Sequence, residues 1–358
     1  MDFAYTAEQE ELRALAREVL ADHATAQRVA EVEASEERID RALWAALANA
    51  GLLGIAVPEE HGGTGLGIVE LCILLEEVGR AVAPVPVYPT LVLGALPVAA
   101  FATPEARARL LPGVAGGMTL LSGALEEPRN LDPLAPATTA VDGRLSGVKL
   151  AVPVADAAAA VVVSADAGLY LVDPHGPGVS LERQEVTDHE ARFLMTMDSA
   201  PGERLGGPEA LAWLVRRARL ALCALQVGVT DRALRMTAEY TSSREQFGRP
   251  LSAFQAVSQR AADAYVDVEG IRLTTQAAVW RLAAGQEAEA DDAIAVAKFW
   301  AADAGQRVVH AAQHLHGGVG VDVSYPLHRS FLWAKELELT LGGATQQLLA
   351  LGDSIAAR

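Results

Sequence analysis

The sequence predicts a mainly helical α+β fold in three parts: a helical N-terminal domain (1–117), a small β domain (118–205) and a C-terminal four-helix bundle (206–358). Two observations support this. Apolar residues recur at helical spacing in the first and last parts, whereas the middle part has short runs of small and β-branched residues between turn signals. With 358 residues, 51% of them hydrophobic, the chain can bury a large core.

The N-terminal part alternates helical segments with glycine and proline. Thr6 is a suitable cap for a first helix, and acidic residues follow it in the first turn. An apolar stripe then marks the buried face of that helix: Leu12, Leu15, Ala16 and Val19. Three further helices are predicted near residues 36–50, 68–82 and 104–110.

The uncharged span 81–101 is long enough to cross a membrane. Four prolines interrupt it, however, and proline breaks a helix interior. We therefore expect a buried turn followed by a helix, and no membrane span.

The middle part changes period. Strands are predicted at 145–152, 160–164 and 169–172, with turn signals at 142–143, 166–168 and 174–178. This pattern is typical of a small antiparallel, barrel-like sandwich. After it, helical periodicity returns at 211–242, 254–284, 291–316 and 343–356, which by length and number predicts a four-helix bundle.

Composition excludes several function classes. The formal net charge of −17 argues against nucleic acid and against anionic membrane surfaces as partners. Cys72 and Cys223 lie far apart in apolar helical patterns, which indicates small buried side chains in a reducing compartment, and no metal cluster is visible. Residues 1–12 are acidic and lack an apolar run, so no signal peptide is expected. We predict a cytoplasmic protein.

Two strings in the last part carry residues suited to a phosphorylated ligand. The first runs from Arg244 to Gln255 and reads R-E-Q-F-G-R-P-L-S-A-F-Q. The planar guanidinium of Arg244 suits a pyrophosphate, Phe247 offers a stacking face, and Gly248 permits a tight turn. By residue type alone, a surface arginine and a core phenylalanine in a helix–helix loop remain an alternative.

The second string, residues 313–320, reads Q-H-L-H-G-G-V-G. Paired glycines let a backbone approach a ligand closely. Its two histidines lack a third ligand at a spacing that suits a metal. A third glycine-rich segment, 61–67, lacks the G-x-G-x-x-G spacing and a strand–loop–helix context, so a Rossmann nicotinamide site is rejected.

These strings resemble the FAD-holding segments of acyl-CoA dehydrogenases. Residues 51–63 and 325–329 also resemble family motifs, so the similarity covers nearly the whole chain, strongly at both ends and weakly in the middle. The resemblance implies FAD as cofactor, an acyl-CoA substrate and an electron-transferring flavoprotein as electron acceptor. It also implies cofactor contacts, reaching across a dimer interface to a neighbour's FAD, from Arg244, Gln246, Phe247, Gln255, His314, Gly317 and Gly318. His314 stands where the family has glutamine.

The middle part departs from the family. Of the family's T-E-P-x-x-G-S-D segment, only Glu127-Pro128 is kept. The family's K-x-W-I-T-N strand, which packs a tryptophan and a threonine beside the flavin ring, is replaced by residues 149–153, K-L-A-V-P. The side chains that would contact the flavin ring are therefore absent.

The catalytic base is also missing. The family keeps a glutamate in one of two places, and these correspond to Leu341 and Ala218. Glu336 and Glu338 lie nearby on a preceding turn, where we expect them to face solvent. We assign no catalytic residue in this chain. Without a general base, which contributes roughly 100- to 10,000-fold in rate, alkene formation is expected to be very slow.

Three hypotheses follow. In the first, the chain is the shorter, base-lacking subunit of a heteromeric acyl-CoA dehydrogenase, as in actinobacterial-type assemblies acting on bulky acyl-CoAs such as steroid side chains, and a heterotetramer is expected. In the second, it is a self-sufficient homo-oligomer whose base is Glu338, Glu336 or Glu239. In the third, it is a flavin monooxygenase or a scaffold of the same fold.

Overall fold

A computed structural model describes residues 3–357; the acidic start of the chain, from which no signal peptide is expected, lies partly outside this range at residues 1 and 2, as does residue 358. The first part is helical. Its α-helices are α1 (Ala7–His23), α2 (Ala26–Glu33), α3 (Arg41–Asn49), α4 (Ile68–Ala81), α5 (Leu96–Phe101) and α6 (Pro104–Ala115). Asp40 caps α3 by accepting from two backbone N–H groups, those of Ala42 and Leu43.

The uncharged span 81–101 forms a buried turn followed by helix, as the sequence predicts. A π-helix, Tyr88–Ala95, runs directly into α5. Residues 82–95 are all buried. Across residues 3–357, no helix is both long and apolar enough to cross a membrane.

The middle part is a seven-stranded sheet. Its strands are β1 (Leu121–Ala124), β2 (Thr139–Val141), β3 (Arg144–Pro153), β4 (Ala160–Ala165), β5 (Gly168–Val172), β6 (Val179–Gln184) and β7 (Arg192–Gly206). The order is β1-β4-β5-β7-β3-β2, with β6 also paired to β7. The long β7 connects the two halves of the sheet. Its last residues pair with β5, and its earlier residues pair with β3 and β6.

The three predicted strands are confirmed as β3, β4 and β5. The prediction of a wholly antiparallel sheet is wrong in one place, because β1 pairs with β4 in parallel. The physical reason is the long connection between them, which includes β2 and β3 and lets β4 return in the same direction. Asp142 and Gly143 both have positive φ, at 50° and 73°, which is the backbone geometry that a two-residue hairpin turn between β2 and β3 requires.

The last part is helical again. Its elements are α7 (Pro208–Ser243), a two-stranded hairpin of β8 (Glu245–Gln246) and β9 (Arg249–Pro250), α8 (Gln255–Ala283), α9 (Glu287–His316), α10 (Leu327–Leu339) and α11 (Ala344–Ala356). The four predicted helices correspond to α7, α8, α9 and α11, and α10 is an additional one. Helix α9 packs against α8, α10 and α11.

The chain forms two compact units. Of the described residues, one unit comprises 3–6, 75–83 and 222–357, and the other comprises 7–74 and 84–221. In the first unit, Leu234 of α7 packs on a core between α8 and α9 formed by Ala264, Val268, Val308 and Ala311. In the second unit, Gly63 lies so close to Val57 that an added Cβ would meet its carbonyl oxygen at 2.0 Å, so only glycine fits.

Candidate functional site

The string from Arg244 onwards forms the tight β8–β9 hairpin directly after α7. The N–H of Arg244 donates to the carbonyl oxygen of Tyr240, and its own carbonyl accepts from Leu251, which closes the hairpin. The turn uses Phe247 and Gly248, with φ of 54° and 76°. A phenylalanine in the left-handed region is uncommon, so the surroundings must favour this conformation.

The hairpin presents its side chains to solvent. Arg244 and Gln246 are exposed, and Phe247 is 92% exposed. The ring of Phe247 lies edge-on to that of Phe254, and the guanidinium of Arg249 lies 4.1 Å from the centre of the Phe254 ring. Gln255 is exposed at the start of α8. An exposed arginine and an exposed aromatic ring on one hairpin suit a nucleotide, because the arginine can bind a phosphate and the ring can stack on a base.

The second string ends α9 and forms a short 3-10 turn, Gly317–Val321. Gly317 has φ 62° and ψ −138°, a conformation that a side chain strongly disfavours. A Cβ added at Gly317 or at Gly318 would meet open space, so a ligand can approach this backbone. His314 is exposed on the last turn of α9.

One group beside these glycines escaped the sequence analysis. His316 is buried, stacked on Tyr240 and within 3.3 Å of the Tyr325 hydroxyl. The sequence predicts a cofactor contact for His314 and none for His316, because the aromatic partners of His316 come from segments far apart in the chain. The single available signal was the position of His316 directly before Gly317.

Leu341 occupies the expected base position and is 3% exposed. It has φ 56°, and Gly342 follows with φ 98°. The turn is held from two helices: Lys298 of α9 donates to the carbonyls of Leu337 and Glu338, and Gln347 of α11 donates to that of Gly342 at 3.0 Å. A firmly held turn therefore presents an apolar side chain where a carboxylate is expected.

The nearby glutamates do not behave as predicted. Glu338 is only 16% exposed and pairs with Lys335 at 2.6 Å, and Glu336 is half-buried, so the expectation that both face solvent is wrong. The reason is that Lys298 holds the end of α10 against α9, which shields that turn. Glu239, the third alternative base, is exposed.

Ala218, the other base position, lies on α7 and is fully buried. Its side chain is a single methyl group without proton-transfer chemistry. One residue earlier, the guanidinium of Arg217 lies 3.8 Å from the ring of Trp213. Neither position at which the family resemblance places a base carries a carboxylate.

In the β region, Glu127 and Lys149 form a buried ion pair at 2.6 Å. Glu127 also accepts from the hydroxyl of Thr138, and Lys149 donates to Ser164. Burial alone would raise the pKa of Glu127, but hydrogen bonds from Lys149, Thr138 and Ala137 bring it down to about 2. Burial lowers the pKa of Lys149 to about 8, against the pull of Glu127. At neutral pH both groups are charged.

The strand after Lys149 lacks groups for a flavin ring. Ala151 adopts φ 48° at an irregularity of β3, and its N–H donates to the side chain of Gln184. Val152 is buried. These residues provide neither an aromatic face nor a hydroxyl. The described residues thus fit the ADP half of FAD at the hairpin and the glycine loop, and do not fit the ring half at β3.

A cavity of about 390 Å³ lies between α8 and α9 and is lined by residues that include Arg281, Glu289 and Asp292. None of the residues that line it belongs to the two strings. We therefore do not assign it to the cofactor site.

The N- and C-terminal parts of the chain each match the model of a known protein family. Residues 6–118 match the model "Acyl-CoA dehydrogenase, N-terminal domain", and residues 206–355 match "Acyl-CoA dehydrogenase, C-terminal domain". The chain is 38% identical to the acyl-CoA dehydrogenase FadE27 of Mycobacterium tuberculosis, with 99% of each chain covered.

Two solved structures are similar along the whole chain. A variant of the Tcur3481–Tcur3483 steroid ACAD is 50% identical, with 98% of each chain covered and a TM-score of 0.92. The ChsE4–ChsE5 complex from Mycobacterium tuberculosis is 38% identical, with 100% of each chain covered and a TM-score of 0.94.

Proposed function

Since the chain belongs to the acyl-CoA dehydrogenase family, we propose that it is the base-lacking subunit of a heteromeric, FAD-dependent enzyme of that family. Leu341 carries the proposal. It is a buried leucine in a turn that Lys298 and Gln347 hold in place. At the second position, Ala218 offers no carboxylate either. A homologous subunit must then supply the base.

The FAD contacts assigned to this chain are also part of the proposal. Arg244, with Gln246 and Phe247, would hold the ADP half from the hairpin, and Gly317 and Gly318 would offer backbone donors. His314 and Gln255 would add polar contacts at the edge of the same region. The exposure of the hairpin supports a role at a subunit boundary, where its side chains meet a neighbour's cofactor.

The reaction is α,β-dehydrogenation of an acyl-CoA. When bound, FAD supplies the hydride acceptor. A carboxylate of the homologous subunit removes the α-proton, because this chain has no base to do so at either position. The side chain of Leu341 is buried and apolar, so it can neither take up nor release a proton. An electron-transferring flavoprotein would receive the electrons.

Partner and substrate class are proposed from the relatives. One similar structure is described as a steroid ACAD and the other as a two-component complex. We therefore propose a heterotetramer with a homologous subunit, acting on bulky acyl-CoA thioesters such as those of steroid side chains. We also propose a cytoplasmic location and the three-domain division at residues 117 and 205.

The test compares visible spectra of the chain purified alone and purified with its homologous subunit. Each sample is recorded before and after anaerobic addition of straight-chain and steroid side-chain acyl-CoAs. We expect no flavin, or flavin that stays oxidised, in the chain alone. The assembled enzyme should bleach with the bulky thioester.

Two results would contradict the proposal. Bleaching of the flavin by the chain alone would mean that it is a self-sufficient dehydrogenase with an unrecognised base. Glu338→Gln, Glu336→Gln and Glu239→Gln would then identify that base. An assembled enzyme without flavin would reject the proposed cofactor role altogether.

A further inference from the structure

A buried histidine joins the segments that carry the proposed cofactor contacts. His316 is 3% exposed and lies directly before Gly317. Its ring stacks on Tyr240, with centroids 4.4 Å apart and planes inclined by 20°. The ring of Tyr325 also lies near His316, with the two ring centroids 5.4 Å apart. The three residues come from the end of α9, the last turns of α7 and the segment before α10.

Hydrogen bonds fix the state of this ring. Nδ1 of His316 lies 2.8 Å from the carbonyl oxygen of Ala312. A carbonyl oxygen only accepts, so Nδ1 carries the proton and donates. Nε2 of the neutral ring is then an acceptor, and the Tyr325 hydroxyl donates to it at 3.3 Å. Burial lowers the pKa of His316, which favours this neutral form.

Backbone hydrogen bonds connect Tyr240, which stacks on His316, to Arg244 at the start of the hairpin. The carbonyl of Tyr240 accepts the N–H of Arg244 at 2.8 Å, and the carbonyl of Arg244 accepts the N–H of Leu251 at 2.9 Å. A shift of the Tyr240 backbone would therefore move the residue from which the hairpin starts.

The glycine loop is held against the same histidine. A Cβ added at Gly320 would lie 3.1 Å from the Cβ of His316 and 2.5 Å from the carbonyl oxygen of Gln313. The loop thus folds back onto the last turn of α9 at close range. His316 is in contact with one segment on each side, the α7 end that leads to Arg244 and the turn that begins with Gly317.

We propose that His316 is a positioning residue that holds Arg244 and the Gly317–Gly318 loop in one fixed arrangement, so that the ADP half of FAD meets both. The inference rests on the proposed function, because both segments must contact FAD for the arrangement to matter. If His316 only packed in the core, its substitution would lower the free energy of unfolding and leave FAD affinity unchanged. If it is a positioning residue, its substitution also weakens FAD affinity, and it does so through Arg244.

The experiment uses the full chain assembled with its homologous subunit. His316→Phe keeps a ring on Tyr240 but removes both ring nitrogens, whereas Tyr325→Phe removes only the donating hydroxyl. His310→Phe is the matched control, because His310 lies on the same helix, is exposed and contacts the ring of Phe331. The FAD dissociation constant is measured by flavin fluorescence, and the unfolding free energy by denaturant titration.

We expect Tyr325→Phe to weaken FAD binding about fivefold, the effect of one lost neutral hydrogen bond. His316→Phe should weaken it more, because it loses the hydrogen bonds of both ring nitrogens. The control should bind FAD as the wild type does. In an Arg244→Ala background, the effect of His316→Phe should shrink, because the residue it positions is gone. If His316 affected FAD binding independently of Arg244, the effect would stay at full size.

Fully additive effects of Arg244→Ala and His316→Phe would overturn the inference, as would unchanged FAD affinity in Tyr325→Phe. Equal weakening by His310→Phe would overturn it too. If His316→Phe does not fold, Tyr325→Phe combined with Arg244→Ala carries the same test. A wild-type assembly that holds no flavin would instead reject the proposed function, and with it this inference.

Discussion

The ammonium of Lys149 donates to the carboxylate of Glu127 at 2.6 Å, with both side chains shielded from solvent. Each charge is also bonded to neutral groups, Glu127 to Thr138 and Lys149 to Ser164. The pair joins the middle of β3 to the segment between β1 and β2. Each of the two buried charges is tolerated because the opposite charge offsets the cost of removing it from water. Either charge alone would be strongly destabilising.

Removing one member should therefore be costly. We expect Glu127→Gln or Lys149→Met to lower the free energy of unfolding by about 3–5 kcal/mol, since each leaves a buried charge unpaired. Denaturant titration measures the loss. Glu182→Gln, an exposed glutamate of β6, is the control and should change stability by less than about 0.5 kcal/mol. A loss equal to that of the control would refute the structural role of the pair.

The same pair predicts how stability depends on pH. The pKa of Glu127 is about 2 in the folded chain, against an ordinary value of 4.5. The unfolded chain therefore binds more protons between these values, so the stabilisation is complete above pH 4.5 and is lost as the pH falls towards 2. Its size is on the order of 3 kcal/mol. A Glu127→Gln variant should lack this part of the acid dependence when unfolding is followed across the window.

Periodicity predicted the elements whose apolar residues face one core. Helices α7, α8, α9 and α11 and strands β3, β4 and β5 were found in this way. The sequence did not predict helices α2 and α10, strands β1, β2, β6 and β7, or the β8–β9 hairpin. Strand β1 is only four residues long and pairs with β4 in parallel, a relation between distant segments that no local pattern encodes. Helix α10 was noticed only at its start, through the Tyr325-Pro326 motif.

The candidate site shows the same limit. The exposed Arg244 and the open Gly317–Gly318 backbone could be predicted from residue type and motif, because these positions need particular side chains or none. The stack of His316 on Tyr240 could not, since it depends on how α7 and α9 pack. The low exposure of Glu338 likewise could not be predicted, since it depends on the hydrogen bond that Lys298, 40 residues away in sequence, donates to the carbonyl of Glu338.

An exposed aromatic residue in an unfavourable conformation should affect function more than stability. Phe247 is 92% exposed and has φ 54°. We expect Phe247→Ala to change the unfolding free energy of the chain by less than about 0.5 kcal/mol. Flavin retention by the assembled enzyme should fall severalfold, measured as the FAD-to-protein absorbance ratio after gel filtration. Unchanged retention would exclude Phe247 from the cofactor site.

Leu341 should matter for packing and not for proton transfer. Leu341→Ala removes a buried side chain and is expected to cost about 2–5 kcal/mol of unfolding free energy. Turnover of the assembled enzyme, measured with an artificial electron acceptor below the unfolding temperature, should stay within about twofold of wild type, because no proton passes through this position. A loss of about 100-fold or more, the scale of a removed base, would show that the turn takes part in the reaction.

Arg244 gives the sharpest separation of cofactor binding from folding. Its side chain is exposed at the start of the hairpin, and only its backbone groups close that hairpin, to Tyr240 and Leu251. Arg244→Ala should therefore leave the helices folded, as judged by circular dichroism. The loss of charge-assisted hydrogen bonds, worth about 1.5–3 kcal/mol, should weaken FAD binding by about tenfold or more. Arg249→Ala removes the same charge from the same hairpin, where the guanidinium contacts Phe254, and should weaken FAD binding much less. Equal effects of the two substitutions would mean that the hairpin acts through its general charge, and the specific role of Arg244 would be rejected.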